Sequence, residues 1–254
     1  DAPITNFRKE LRSPFNNFRQ QDASEFCYSL LDDVITRCNL DGVKDIFSGK
    51  IETNITCNIC NTKSVTNAPF LGLQLPFSSA MTNNVPNNND NYSSSNPSYK
   101  ISVLLNHYFK PEILEKGNAY FCERCNKKAI ASKQTKIIRA PEILVLTVKR
   151  FYYDTAGTIS GKIKCPLQIE PSLNVNNESF DLFGVVTHHG DSLNSGHYTA
   201  TASHSNSPNS CWWHFDDSRV ERLNSRGVQN IKNAYIFFQS VLYLTLIFIL
   251  IFQY

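Results

Sequence analysis

Four of the eight cysteines come as two spaced pairs, Cys57-Asn58-Ile59-Cys60 and Cys122-Glu123-Arg124-Cys125, with residues 61–121 between them. Each pair can set two thiolates on one metal, and four thiolates suit tetrahedral zinc (Zn2+). If one ion takes all four, the fold has to clamp together two hairpins that are distant in sequence. With four Cys ligands no position stays open for a water, so such a site is structural rather than catalytic. Free thiols or disulfides are the competing readings. Cys27, Cys38, Cys165 and Cys211 are scattered singly. Paired knuckles beside isolated thiols favour metal and a reducing, intracellular compartment over disulfides.

The remaining pattern is that of an α+β chain. Ala23, Phe26, Cys27, Leu30, Leu31, Val34, Ile35 and Cys38 recur at helical spacing, which predicts an amphipathic helix over residues 22–38. Asp22 can cap it, and Glu25 completes a capping-box pattern. Cys27 falls on the buried face and reads as core. Residues 46–57 and 70–77 alternate as strands, and residues 99–114 resume a short helical pattern. Between them, residues 78–98 are rich in Asn and Ser without a hydrophobic period, which predicts a disordered insertion. The near-continuous apolar run 143–148 predicts a strand covered on both faces. The following Lys149-Arg150-Phe151 reads as a solvated strand end. Residues 162–169, 180–187, 198–203, 212–215 and 235–238 read as further strands, giving a long antiparallel sheet after an N-terminal helical part. Hydrophobic content of 41% and a net charge of +3, with no dense basic run, fit a globular protein and argue against nucleic acid as a partner. Residues 1–240 form the domain. Residues 241–254 form a hydrophobic tail, almost unbroken over 241–252, that is too short to span a bilayer alone. A membrane anchor, a buried extra element and an extension foreign to the domain are its three readings.

The stretch Ser195-Gly196-His197-Tyr198-Thr199-Ala200 is followed by Trp212-Trp213-His214-Phe215-Asp216-Asp217. Two antiparallel strands could set the His197 imidazole beside a carboxylate, which would orient it and stabilise its protonated form. Adjacent strand residues face opposite ways, so only one of Asp216 and Asp217 should face His197. A carboxylate there would hold the Nδ1–H tautomer and leave Nε2 toward a reacting atom. His188 and His189 are adjacent on a strand and should point apart, which argues against a metal pair. Gly190 to Gly196 reads as a flexible turn beside His197. Trp212, Trp213, Phe215 and Tyr198 read as sheet core and cleft wall.

Four stretches together resemble the catalytic domain of the ubiquitin-specific proteases, papain-like cysteine peptidases. They are Gln20-Gln21-Asp22-Ala23-Ser24-Glu25-Phe26, the two cysteine pairs, Leu144-Val145-Leu146-Thr147-Val148-Lys149-Arg150-Phe151, and the His197/Asp216 region, in family order. The resemblance implies a thumb, palm and fingers, with the cysteine pairs binding zinc at the fingertips. It implies hydrolysis of the bond after ubiquitin's C-terminal glycine. His197 would be the general base, Asp216 its orienting partner, and Asp217 an assistant. Gln20, Asp22, Glu25 and His188 are implied to line the path of ubiquitin's C-terminal tail, and Asp191 and Ser192 are further candidates. Ubiquitin and ubiquitinated proteins are the implied partners, in the cytoplasm or nucleus. The family's nucleophilic Cys lies well upstream of the Gln-Gln-Asp segment, whereas the first Cys here is Cys27. The expectation is therefore an N-terminally truncated domain, with most of the thumb and the nucleophile missing. A ubiquitin-binding pseudoprotease is the alternative. Thr201 stands where the family usually has an aromatic residue, which predicts a small packing change.

Overall fold

Ile143–Lys149 is the strand on which the molecule is built. Its first six residues are buried, and alternate side chains enter different cores. Leu144, Leu146 and Val148 join Leu73, Leu75, Leu104 and Phe237 on one face. Ile143 and Val145 join Cys27, Leu31, Phe47, Ile236 and Phe238 on the other. A strand covered on both sides keeps no polar face, which is why this stretch reads as a continuous apolar run. Each such side chain contributes roughly 1.5–3 kcal/mol by leaving water.

The computed structural model describes residues 2–17, 19–37, 41–77, 99–153, 159–192, 195–203, 211–229 and 231–241. The expected insertion at 78–98, residues 242–254 of the tail, and Cys38 lie outside them. Among the described residues, no helix is long and apolar enough to cross a membrane.

Ile143–Lys149 runs antiparallel to Ala234–Ser240 and parallel to Leu73–Pro76. Beyond Ala234–Ser240 the sheet continues through Glu178–Ser192, Ser195–Ser203, Trp212–Asp216 and Arg219–Leu223, each antiparallel to its neighbour. The helices Ala23–Arg37 and Asp41–Phe47 contribute to the core on one face, and Ile101–Tyr108 to the core on the other. The α+β class read from the sequence is the class of the structure. The single strand expected over residues 162–169 is two short ones, Ile159–Lys162 and Leu167–Gln168. Pro166, which has no N–H to donate to a ladder, lies in the gap.

A second sheet has the order Lys63–Phe70, Gly49–Cys57, Ala131–Arg139, Glu112–Leu114. Gly49–Cys57 ends with Cys57 opposite Ala131, so one tip of this sheet delivers the first cysteine pair.

Asp22 caps Ala23–Arg37: its Oδ1 accepts from Ser24 N at 2.7 Å and Glu25 N at 2.9 Å. Its Oδ2 accepts from Tyr235 Oη at 2.6 Å, which ties the helix start to the last core strand. The expected cap is present. Glu25 contributes its backbone N–H to it.

Arg150 overturns its sequence reading. It is fully buried rather than solvated. Its Nε donates to Ala234 O at 2.8 Å, and its Nη1 to Ile163 O and Cys165 O at 2.9 Å each. The guanidinium also lies 5.6 Å from the centre of the Phe77 ring. Lys149 alone keeps the exposed position. A planar fork with several N–H groups can collect carbonyls that a strand end leaves unpaired, which an ammonium cannot match in geometry. Arg150→Met removes the donor from all three oxygens and is expected to cost about 3 kcal/mol. A lower urea midpoint with an unchanged slope would register that loss.

Candidate active site

His197 lies near the start of Ser195–Ser203, and Asp216 ends Trp212–Asp216. Ala200 pairs with Phe215, so one step along the register sets Asp216 opposite Thr199. His197 is then the diagonal neighbour of Asp216 on the same face, within side-chain reach. His197 Nε2 is in hydrogen-bond contact with Asp216 Oδ1. The two side chains are 43% and 41% exposed, so the pair opens to solvent. That hydrogen bond, and then the imidazole's charge, hold the Asp216 carboxyl below its usual range.

Two details depart from the sequence reading. The first is the ring: Nε2, not Nδ1, meets the carboxylate. Asp216 reaches across from the neighbouring strand and meets the nitrogen farther from the His197 backbone. Nε2–H donates to Asp216, which leaves the lone pair on Nδ1. The second is Asp217. Alternation would send it to the far side, but it leaves the strand with φ of +50°, a conformation Asp tolerates. Asp216 pairs with Arg219, so Asp217 opens the two-residue turn between those strands. One donor atom from each of His197, Asp216 and Asp217 lies within 4.8 Å of the others.

The flanking polar residues also find partners. Thr201, buried where an aromatic was the expectation, has its Oγ1 3.0 Å from His214 Nδ1. His189 Nε2 is 3.0 Å from Thr199 Oγ1. Burial, and then the neighbouring His197, keep the His189 pKa below its usual value.

The candidate tail-binding residues divide. Gln20 and Glu25 are exposed, whereas Asp22 and His188 are buried. Asp22 is occupied by the cap and Tyr235, and Tyr235 lies 6.4 Å from Tyr198 between ring centres. Tyr198 in turn lies 4.8 Å from His188. Asp22, Tyr235, Tyr198 and His188 thus form one polar seam between the helix start and the His197 strand. Burial, and then the charge of Lys162, push the His188 pKa down to about 4. Asp191 pairs with Lys164 at 2.9 Å. Cys27 is core, and burial pushes its thiol up to about 12, which suits packing and not attack. Tyr235 and Lys162 carry no motif, and no spacing in the sequence points to them.

The four paired cysteines converge, with one sulfur from each within 4.8 Å of the others. Cys57 Sγ lies 4.0 Å from Cys125 Sγ, and Cys60 Sγ lies 3.6 Å from Cys122 Sγ. Cys57 and Cys122 are buried. Each knuckle turns on an Asn just past its second cysteine, Asn61 with φ of +55° and Asn126 with φ of +51°. The repeated Cys-x-x-Cys-Asn is a turn signal that the spacing alone does not use. Hydrogen bonding with Thr62 pulls the Cys60 thiol down to about 6, while Cys60 pushes Cys125 up to about 12. Four thiols crowded this closely compete for protons, and a soft divalent ion would relieve that competition. The donor set fits tetrahedral zinc.

Comparison with known proteins places the chain in a family. The family model described as Ubiquitin carboxyl-terminal hydrolase matches residues 2–238. Ubiquitin carboxyl-terminal hydrolase 3 of Homo sapiens is 30% identical, with the match covering 88% of this chain and 49% of that protein. Probable ubiquitin carboxyl-terminal hydrolase 16 of Schizosaccharomyces pombe is 33% identical, covering 92% and 50%. The chain therefore spans about half the length of the curated relatives it matches. Among solved structures, the SAGA Ubp8/Sgf11/Sus1/Sgf73 DUB module bound to ubiquitin aldehyde superposes with a TM-score of 0.75 at 24% identity, covering 94% of this chain and 53% of that one. The Ubp8-Sgf11-Sgf73-Sus1 SAGA DUB module gives 0.67 at 26%, covering 88% and 49%. The mixed architecture dominated by antiparallel sheets is that of the papain-like ubiquitin-specific protease domain.

The Asp216 carboxyl depends on its partner for its low pKa. In His197→Ala its titration, followed by carbon NMR, should move up toward the ordinary Asp value of about 3.9. An unmoved titration would show that the contact does not perturb the carboxylate.

Proposed function

The chain belongs to the ubiquitin carboxyl-terminal hydrolase family, and we propose that it is part of a deubiquitinating cysteine peptidase cleaving the bond after ubiquitin's C-terminal glycine. The observation that carries this reading is the His197–Asp216 contact on an open face, with Nδ1 left to act as a base. In the proposed reaction the attacking thiol comes from a cysteine outside these 254 residues. His197 Nδ1 takes the thiol proton, and the thiolate bonds to the carbonyl carbon of the terminal glycine. As the carbon–nitrogen bond breaks, the same nitrogen returns the proton to the leaving amine. A water then attacks the thioester, again losing its proton to His197, and the thiol is released. Asp216 holds the imidazole in position and stabilises its cationic form. Asp217 adds a second carboxylate to the same face.

Gln20 and Glu25 are proposed to meet ubiquitin's tail directly. Asp22 and His188 would act from behind, Asp22 through the helix start and His188 through Gly196, the residue before His197. Ubiquitin and ubiquitinated proteins are the proposed partners, in the cytoplasm or nucleus. Residues 1–240 would act as one part of the catalytic domain. Cys57, Cys60, Cys122 and Cys125 would hold zinc, which cross-links the two hairpins and does no chemistry.

Joined to a segment that provides the nucleophile, the protein should hydrolyse a ubiquitin C-terminal fluorogenic amide, and the 254-residue chain alone should not. His197→Ala should abolish turnover. Asp216→Asn should lower it about 10²–10⁴-fold, with ubiquitin binding retained in both. Binding without turnover in the longer protein would favour the pseudoprotease instead. Turnover by the 254-residue chain that is lost on changing one of its own cysteines would overturn the assignment of the nucleophile.

The purified chain should carry one equivalent of zinc. Removing it with a chelator, or making Cys60→Ser, is expected to lower the melting temperature by about 10 °C. Metal analysis combined with thermal melts provides the check.

A further inference from the structure

Lys162 stands at the end of the short strand Ile159–Lys162, opposite Phe151. Its Nζ donates to His188 Nδ1 at 2.9 Å, to His188 O at 2.8 Å and to Gly190 O at 2.8 Å. It also lies 5.9 Å from the centre of the Phe151 ring. None of these partners is a carboxylate. Asp191, next along the strand from Gly190, is paired with Lys164 instead. An ammonium has three N–H donors, and all three converge on the end of the strand Glu178–Ser192.

The contacts continue toward His197. Donation into His188 Nδ1 places that ring's own proton on Nε2, a buried atom with no hydrogen-bond partner among the described residues. Gly196 packs directly on this ring. A Cβ built on Gly196 would stand 2.6 Å from His188 Nε2 and would also run into His189 O. Gly196 has φ of +154°, and a Cβ on Gly190 would stand 2.9 Å from Gly196 Cα. Both glycines are thus required where the two strands close on the His188 ring.

We propose that Lys162 is a positioning residue for His197: its ammonium fixes His188 and the backbone at Gly190, and the His188 ring so fixed is the seat for Gly196, the residue before His197. Its catalytic meaning rests on the general-base reading of His197 given above. The charged and titratable groups facing Lys162 are Arg150, Lys164, Asp191, His188 and His189. Burial, and then the positive charge of Arg150, bring its pKa down to about 8, with Asp191 opposing. Above that pH the neutral amine has two donors for three acceptors, so the seat loses a bond. Global stability should move the other way. The folded pKa is below the unfolded value of about 10.4, so the folded state binds fewer protons between the two and gains stability as pH rises. A purely structural lysine would show only that gain.

The test is NMR on the 254-residue chain, following the His188 and His197 ring protons and amide exchange at His189 and His197. In the unaltered chain the His197 signal should shift with a midpoint near pH 8, and in Lys162→Met that midpoint should vanish. In Lys162→Met the His188 ring should also titrate at a higher pH than before, and the two amides should exchange roughly tenfold faster. Lys162→Arg stays charged throughout and should also lose the midpoint. It serves if the Met variant does not fold. The proposal is overturned if the His197 signal and both amides are unchanged in a folded Lys162 variant, or if the midpoint survives in Lys162→Arg. None of these measurements requires ubiquitin or turnover, so their failure is distinct from failure of the proposed hydrolysis.

Discussion

Tyr235 belongs to the last core strand, and its hydroxyl reaches Asp22 at the start of the long N-terminal helix, 2.6 Å away. The other oxygen of Asp22 takes the Ser24 hydroxyl at 2.6 Å and two backbone N–H groups. A carboxylate this buried is tolerable only when every lone pair is matched. The helix start is thereby confined to one place on the sheet. From there the rest of the region follows in order. Tyr198 packs beside Tyr235, His188 beside Tyr198, and Gly196 beside His188. Gln20 and Glu25 are left on the outside because Asp22 faces in. Removing the Asp22–Tyr235 bond would release the helix from the same strand system that positions His197.

The two chemical centres converge by different physical routes. His197 and Asp216 sit on neighbouring antiparallel strands, so ordinary register brings them together. The cysteine pairs have no such neighbour relation. They meet because the second sheet carries Cys57 to its tip, opposite Ala131, and a small hairpin, Tyr120–Cys122 with Lys127–Ala129, returns Cys122 and Cys125 to the same point. Closing that long loop costs entropy that few local contacts repay. The thiol cluster packs little more than Ala129, Tyr120 and its own sulfurs. Such a tip needs a cross-link to be well ordered, and a four-thiolate metal site would supply it.

Periodicity made the helix over residues 22–38, the doubly buried strand and the α+β class legible, because each is a repeat that burial imposes on the sequence. The paired cysteines were legible because metal ligation fixes their spacing. What stayed hidden depended on long-range partners. Arg150 read as a solvated end because nothing in Lys-Arg-Phe announces that Ala234 O, Ile163 O and Cys165 O will lie around it. Asp217 read as facing away because alternation fails where the chain enters a left-handed turn, and Asp-Ser is a weak signal for one. Lys162 had no motif at all, since its acceptors are backbone oxygens and one ring nitrogen.

The orientation of the His197 ring changes what controls the site. With Nε2 held by Asp216, the nitrogen that the proposed reaction would use for proton transfer is Nδ1, the one closer to the main chain. The Nε2 contact can follow a small displacement by rotating about the side-chain bonds. Nδ1 is on the same rigid ring, so that rotation moves its lone pair as well, and its place depends on both the Asp216 contact and the backbone that carries the ring. Shifts near 1 Å in the position of a reacting group already cost about 10²-fold in rate. In the proposed reaction Asp216 would therefore fix the tautomer and the tilt, and the place of the base would follow from that contact together with the backbone at Gly196. Gly196 lies against the His188 ring, which ties the backbone seam to the position of the proposed base.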